Sequence, residues 1–198
     1  MTDVLEAAAA LYDLARGAVQ REHARVALHA LRDLLVGDLL AGERRRTLFP
    51  VGDGHAMVVD FRTGEITSSM QQAELLGRPL LLADPQRASD TVSWPGAIHT
   101  LRLSTLLWGM THALIDQGVS PHTINGRYQL IRPPEPAALS RPSTSRLVAA
   151  WTQRAMSVAE AAAASRLSAF EILWFLSTAL ALGIAVPAAG SQAGTTQA

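Results

Sequence analysis

Between Ile172 and Ala189 the chain carries no charged residue. The run Ile-Leu-Trp-Phe-Leu-Ser-Thr-Ala-Leu-Ala-Leu-Gly-Ile-Ala-Val-Pro-Ala-Ala needs either a bilayer or a protein interior large enough to enclose it. It reaches the ~18-residue lower limit for a membrane span. Arg154 and Arg166 on its N-terminal side would fit a cytoplasmic flank. Its punctuation favours the interior. Gly183 suits a helix C-cap, and Pro187 follows shortly after it. The part before Gly183 then has core-helix length, and Ile184–Val186 reads as a short strand. The interior is large enough. The chain has 198 residues, 48% of them hydrophobic, which suits one domain or two small ones. A domain of ~150 residues buries roughly 70% of its unfolded surface. A membrane tail is therefore the lesser expectation.

The rest of the chain divides by texture. Residues 3–43 are rich in Ala, Leu, Arg and Glu and lack Pro, which predicts one long helix or two packed ones, with Gly17 as the bend. Leu28, Leu31, Leu34 and Leu35 recur at helical spacing. Such a helix serves dimerisation or, more commonly, covers a sheet. Thr47–Val51, His55–Phe61 and Ile66–Ser69 read as three strands, joined through Gly52-Asp53-Gly54 and Thr63-Gly64. Met57, Val59 and Phe61 share one face at period two, with Ala56, Val58 and Asp60 on the other. Gln71–Leu76 is a short helix, Leu80–Leu82 an apolar strand, and Asp84–Pro95 a polar loop and first boundary. Leu101–Gln117 is a second strong helix. In Ile124–Ile131 the Asn125-Gly126 pair signals a hairpin. Pro133, Pro134, Pro136 and Pro142 make Arg132–Ser145 a linker or loop. Ser143 or Thr144 can cap a helix through about Arg154.

Two capping boxes follow. Ser157 with Glu160 opens Val158–Ser165, and Ser168 with Glu171 opens Ala169–Leu182. Arg166-Leu167 is a tight turn between them, which is the helix-turn-helix arrangement. The fold class is thus α+β. N-terminal helices and a small antiparallel sheet occupy 1–95, a helix-rich winged-helix-like part 96–187, and a disordered Gly/Ser/Thr/Gln tail 188–198.

The stretch Ser157–Gly183 resembles the ends of bacterial helix-turn-helix units, in which a Leu-rich second helix ends in Leu-Gly-aliphatic. It is similar to the winged-helix tails that accompany PATAN-type regulatory domains. The segment Asp60-Phe61-Arg62-Thr63-Gly64-Glu65-Ile66 resembles the hairpin of those domains. The clearer part, Ser157–Gly183, covers 27 of the 198 residues. The resemblance implies a regulatory or adaptor role without catalysis.

Composition excludes much chemistry. Lys and Arg together number 17 and Asp and Glu 17, with no Cys; every one of the 17 is Arg. Without Cys there are no disulfides, Cys-based zinc sites or thiol nucleophiles. Without Lys there is no Schiff base and no Walker A site. None of the 6 histidines forms His-x-x-x-His. His112 and Asp116 are four apart on a helix but read as an ion pair. No Gly-x-Ser-x-Gly or phosphate-binding Gly loop occurs. No catalytic residue, cofactor or metal is assigned.

The second helix of the helix-turn-helix starts Ser168-Ala169-Phe170-Glu171, a poor recognition surface. Beyond Ser157, Arg166 is its only basic residue, so phosphate contact is weak there. The contrary signal is the cluster Arg44-Arg45-Arg46, together with Arg127, Arg132, Arg141 and Arg146 around the expected wing and linker. Trp94, before Pro95 in a polar loop, is a candidate partner anchor. Trp108, Trp151 and Trp174 read as helix core. The expected job is protein–protein interaction in a bacterial regulatory or assembly pathway, with a homodimer as one form. A DNA-binding transcriptional regulator is second, an enzyme of unrecognised type third and a tail-anchored adaptor fourth. The acidic start Met1-Thr2-Asp3 lacks a secretory n-region, so the expected compartment is the cytoplasm.

Overall fold

The computed structural model describes residues 2–188, apart from 53, 78–79, 81–82, 89–91, 93, 95 and 140–141. The expected tail beyond 188 and most of the strand expected at Leu80–Leu82 lie outside them, although Leu80 itself is buried.

The N-terminal segment is one helix, α1, Thr2–Leu40. At 39 residues it is about 58 Å long. Leu28, Leu31 and Leu35 turn into the core, while Leu34 stays exposed with Val19, Val26 and Leu40. Three strands follow: β1 (Arg46–Gly52), β2 (His55–Asp60) and β3 (Glu65–Ser68). They form an antiparallel meander, with Phe49 opposite Met57 and Val59 opposite Ile66. All four of these side chains are buried. Val58, on the other face, is buried as well. A register shift between Pro50 and Gly52 breaks the β1–β2 ladder. It falls beside the proline that has no amide hydrogen to donate.

Two further strands come from the segment read as loop and helix. β4 (Gln86–Arg87) pairs with β1, and β5 (His99–Arg102) pairs with β3. The sheet order is β4-β1-β2-β3-β5. β5 lies beyond position 95, yet it completes the N-terminal sheet. Between β3 and β4 runs α2, Gln72–Gly77, laid on α3, Leu103–Asp116. The approach is close: a Cβ on Gly109 would stand 2.9 Å from Gln72 Nε2 and 3.0 Å from Leu76 Cδ1.

The expected hairpin at Asn125-Gly126 does not form. The strand β6, Tyr128–Leu130, pairs instead with β7, Ala185–Pro187. Its partner in a hairpin would have contained Pro121, which cannot donate to a ladder. Long-range partners also satisfy Tyr128 better. Its backbone exchanges two 2.9 Å hydrogen bonds with Met156, and its carbonyl accepts from Trp151 Nε1 at 2.7 Å.

The proline segment holds a 3-10 turn, Pro136–Leu139, and then α4, Pro142–Gln153. Pro142 opens α4, a position where the missing amide hydrogen does no harm. Both capping boxes are present. Ser157 accepts from Glu160 N at the start of α5 (Val158–Ser165), and Ser168 from Glu171 N at the start of α6 (Ala169–Ala181), each glutamate bonding back. Between the helices Arg166 adopts the left-handed conformation, φ 64°. Replacing Ser157 or Ser168 by alanine is expected to lower stability by about 1 kcal/mol each. Urea titration reads this directly, and a change under ~0.3 kcal/mol would show that the caps contribute nothing.

The described part of the apolar run, from 172 to 188, is thus most of α6, a left-handed Gly183 (φ 63°) and β7. Among the described residues no helix is long and apolar enough to cross a membrane. Two cores meet across α3 and α6. One joins α1, the sheet, α2 and α3 with Trp174. The other joins Trp108 to Tyr128, Trp151, Met156 and Phe175.

Candidate functional site

Five connections converge on a cleft of ≈ 600 Å³. They are the turn after α1, the β2–β3 turn, the β5–α3 junction, the loop after β6 and the end of α6. Each carries a local reason for its shape. Past α1 the chain turns at Gly42, φ 72°. Glu43 then closes the turn: its carboxylate accepts from the backbone amides of Arg44 (2.8 Å) and Arg45 (2.9 Å) and pairs with the Arg45 guanidinium at 2.8 Å. Those backbone bonds, that of Arg45 foremost, hold Glu43 below the usual glutamate value. Its contribution to the turn is therefore present above the unfolded value and lost as pH falls through the lower folded one. In the β2–β3 turn, Asp60 Oδ1 accepts from the amides of Arg62 (2.9 Å) and Thr63 (3.2 Å). Gly64 O accepts from Leu103 N at 2.8 Å, which ties that turn to the start of α3.

The far wall comes from the C-terminal half. Glu135 accepts from Ser104 Oγ at 2.8 Å and lies 3.5 Å from Thr105 Oγ1. Arg132 donates to the carbonyl of Leu182, satisfying an orphan carbonyl at the end of α6. A cation there also complements the helix dipole.

The structure separates the arginines that are adjacent in sequence. Arg44 faces the cleft. Arg45 is held by Glu43. Arg46 lies on the outer sheet face with Asp60, Arg62 and Glu65. Of the remaining candidates, Arg132 joins Arg44 in the cleft. Arg127 is elsewhere, bound to Glu160 at 3.0 Å and to Ala155 O at 2.8 Å. Trp94 is half-buried between β4 and β5, and Arg141 is outside the described residues. Arg102, the last residue of β5, was not singled out by the sequence, yet it lines the cleft beside Arg44 and Arg132. The sequence carried no signal for it, because Arg102 fell within the helix expected over Leu101–Gln117 and β5 was not foreseen. Among the described residues the guanidinium groups of Arg44 and Arg102 make no hydrogen bond or ion pair. Leu39, Phe61, Leu103 and Leu182 supply an apolar component. Three carboxylates, Glu43, Glu65 and Glu135, share the lining with the three arginines, and Glu65 stands opposite Arg102 in the β3–β5 ladder. The arginines offer forked donors to an anionic group with apolar atoms in the same cleft.

The pair α5 and α6, expected to form a helix-turn-helix, is less accessible. Trp174 and Phe175 of α6 are buried, and Phe170 is partly so. They are packed into the protein rather than presented to a groove.

Comparison with family models, with curated proteins and with solved structures finds no match for this chain.

Proposed function

We propose that the chain is a non-enzymatic regulatory or adaptor protein that docks an acidic segment of another protein in the arginine cleft. The observation that carries this reading is the pair of unengaged guanidinium groups, Arg44 and Arg102, on a cleft with apolar side chains. A carboxylate or a short acidic run satisfies both through charge-assisted hydrogen bonds. Among the described residues β5 is an edge strand of its sheet, and an extended segment would pair with such an edge.

The second reading, a DNA-binding regulator, would use the same arginines as phosphate contacts. It draws less support, because Arg44, Arg45 and Arg46 diverge and α6 is committed to packing.

The test is affinity capture from the source cell with wild-type chain and with Arg44→Glu/Arg102→Glu, each with and without nuclease. A stoichiometric protein that survives nuclease and ~200 mM salt, and is lost with the double variant, is the expected result. Charge-assisted hydrogen bonds contribute roughly 1.5–3 kcal/mol each, so each substitution should weaken the complex about 10- to 100-fold. Nucleic acid that co-purifies and disappears with nuclease would replace the adaptor reading with the DNA one. A partner retained equally by the double variant would show that the cleft is not the docking site.

A further inference from the structure

We propose that His29, Asp33 and His122 form a binding site for one divalent transition-metal ion, with Zn²⁺ the best fit. The site shares no residue with the arginine cleft and does not depend on the adaptor reading. Its ligand atoms all lie within 4.8 Å of one another, the one such trio of His, Asp or Glu among the described residues. Asp33 Oδ2 is 3.3 Å from His29 Nε2 and 3.3 Å from His122 Nε2. Around a tetrahedral zinc, with bonds of ~2.0–2.2 Å, neighbouring ligand atoms stand about 3.4 Å apart. Both measured edges agree with that spacing. The remaining edge, between the imidazoles, needs only a swing of His122, whose side chain is 74% exposed.

The scaffold around the trio is built. His29 and Asp33 are one turn apart on α1, on the stretch pinned by the buried Leu28, Leu31 and Leu35. The His29 ring meets the Trp174 ring edge-on, centroids 5.5 Å apart at 73°, which fixes its plane. Arg32 Nη1 lies 3.5 Å from the other oxygen of Asp33, Oδ1, leaving Oδ2 to the two imidazoles. Such a partner orients a ligating carboxylate, as outer groups commonly do around metals. His122 comes from the loop after α3. That loop is anchored where Val119 N donates to Leu114 O at 3.0 Å and Val119 O accepts from Trp174 Nε1 at 2.8 Å.

A plain ion-pair cluster is the competing account, and one atom argues against it. His29 Nε2 is buried and makes no hydrogen bond, although Asp33 Oδ2 is 3.3 Å away. A buried ring nitrogen without a hydrogen bond carries a penalty, and a metal ion on its lone pair removes it. Two imidazoles and a carboxylate suit zinc and its neighbours in the first row rather than magnesium or calcium. Three protein ligands leave one position for water or for a donor from another molecule.

The experiment uses the full chain without an affinity tag, stripped with chelator and titrated with Co²⁺ while visible absorption is recorded. The expected result is one equivalent bound, with the intense bands of four-coordinate cobalt, and displacement by Zn²⁺. His122→Ala removes an exposed side chain and leaves the core intact, which circular dichroism verifies. It should weaken binding at least tenfold, the loss seen even for outer-shell partners of metal sites. Asp33→Asn should weaken binding likewise. No saturable absorption, or His122→Ala binding cobalt as tightly as wild type, would overturn the proposal.

Discussion

Trp174→Ala is expected to cost about 3–5 kcal/mol of stability, the range for truncating a large aromatic in a packed core. The side chain is 1% exposed and belongs to the core shared by α1, the sheet and α3. Three specific contacts add to its burial. Its Nε1 donates to Val119 O, the His29 ring meets its edge, and the Arg32 guanidinium carbon stands 4.4 Å from its ring centroid. Losing the side chain opens a cavity and leaves the Val119 carbonyl without its donor. A typical domain is stable by only ~5–15 kcal/mol, so the variant should be close to its limit. Urea unfolding followed by circular dichroism reads the change. A loss under ~1.5 kcal/mol would mean that the site collapses around the deletion and that Trp174 is not a keystone between α1 and α6. Trp174→Phe should lie between, since it keeps most of the volume and loses the hydrogen bond.

Arg32 offers a sharper contrast, because its charge and its volume should act in opposite directions. The residue is 1% exposed. Desolvation pushes its pKa down to about 10, against a smaller upward pull from Asp33. A base with a depressed folded value penalises the fold wherever it remains charged. The penalty is therefore full at neutral pH and is relieved only as pH rises through about 10. Its Nη2 donates to Ser177 Oγ at 2.5 Å and to Thr178 Oγ1 at 2.8 Å, while Nε is buried without a partner. Both hydroxyls have other partners: Thr178 with Thr111 Oγ1 at 2.7 Å, and Ser177 with Trp174 O at 3.0 Å. Arg32→Met, which keeps length and removes charge, is therefore expected to change stability by no more than ~1 kcal/mol in either direction. Arg32→Ala empties the space under Trp174 and should lower stability by roughly 2–4 kcal/mol. Chemical denaturation of both variants at neutral pH decides the matter. Equal losses for Met and Ala would show that the cation itself holds α1 to α6.

The helices were legible where the signal is local. Ser157 and Glu160, and Ser168 and Glu171, are three residues apart, and their reciprocal bonds form without help from the rest of the chain. The period-two pattern of Met57, Val59 and Phe61 likewise announced β2. The strands β4 and β5 were not legible. β4 is two exposed residues, and β5 alternates half-buried and exposed positions in front of a helix that continues its Leu pattern. Asn125-Gly126 was a true local preference overruled from a distance, because Pro121 spoiled one partner and Met156, Trp151 and β7 supplied better ones. The metal trio shows the same limit. His29 and Asp33 have helical ligand spacing, but the third member is 89 residues from Asp33.

By itself the sequence determined the α+β class, the positions of the capped helices and the exclusion of cysteine and lysine chemistry. Those depend on side-chain type and on spacings of two to four residues. Tertiary structure alone decided which arginines face one cleft, how the sheet closes at β5, and that His122 meets α1. Each of these is a meeting of segments tens of residues apart. It is selected by the burial of shared apolar surface, to which the polar groups at the site contribute almost nothing.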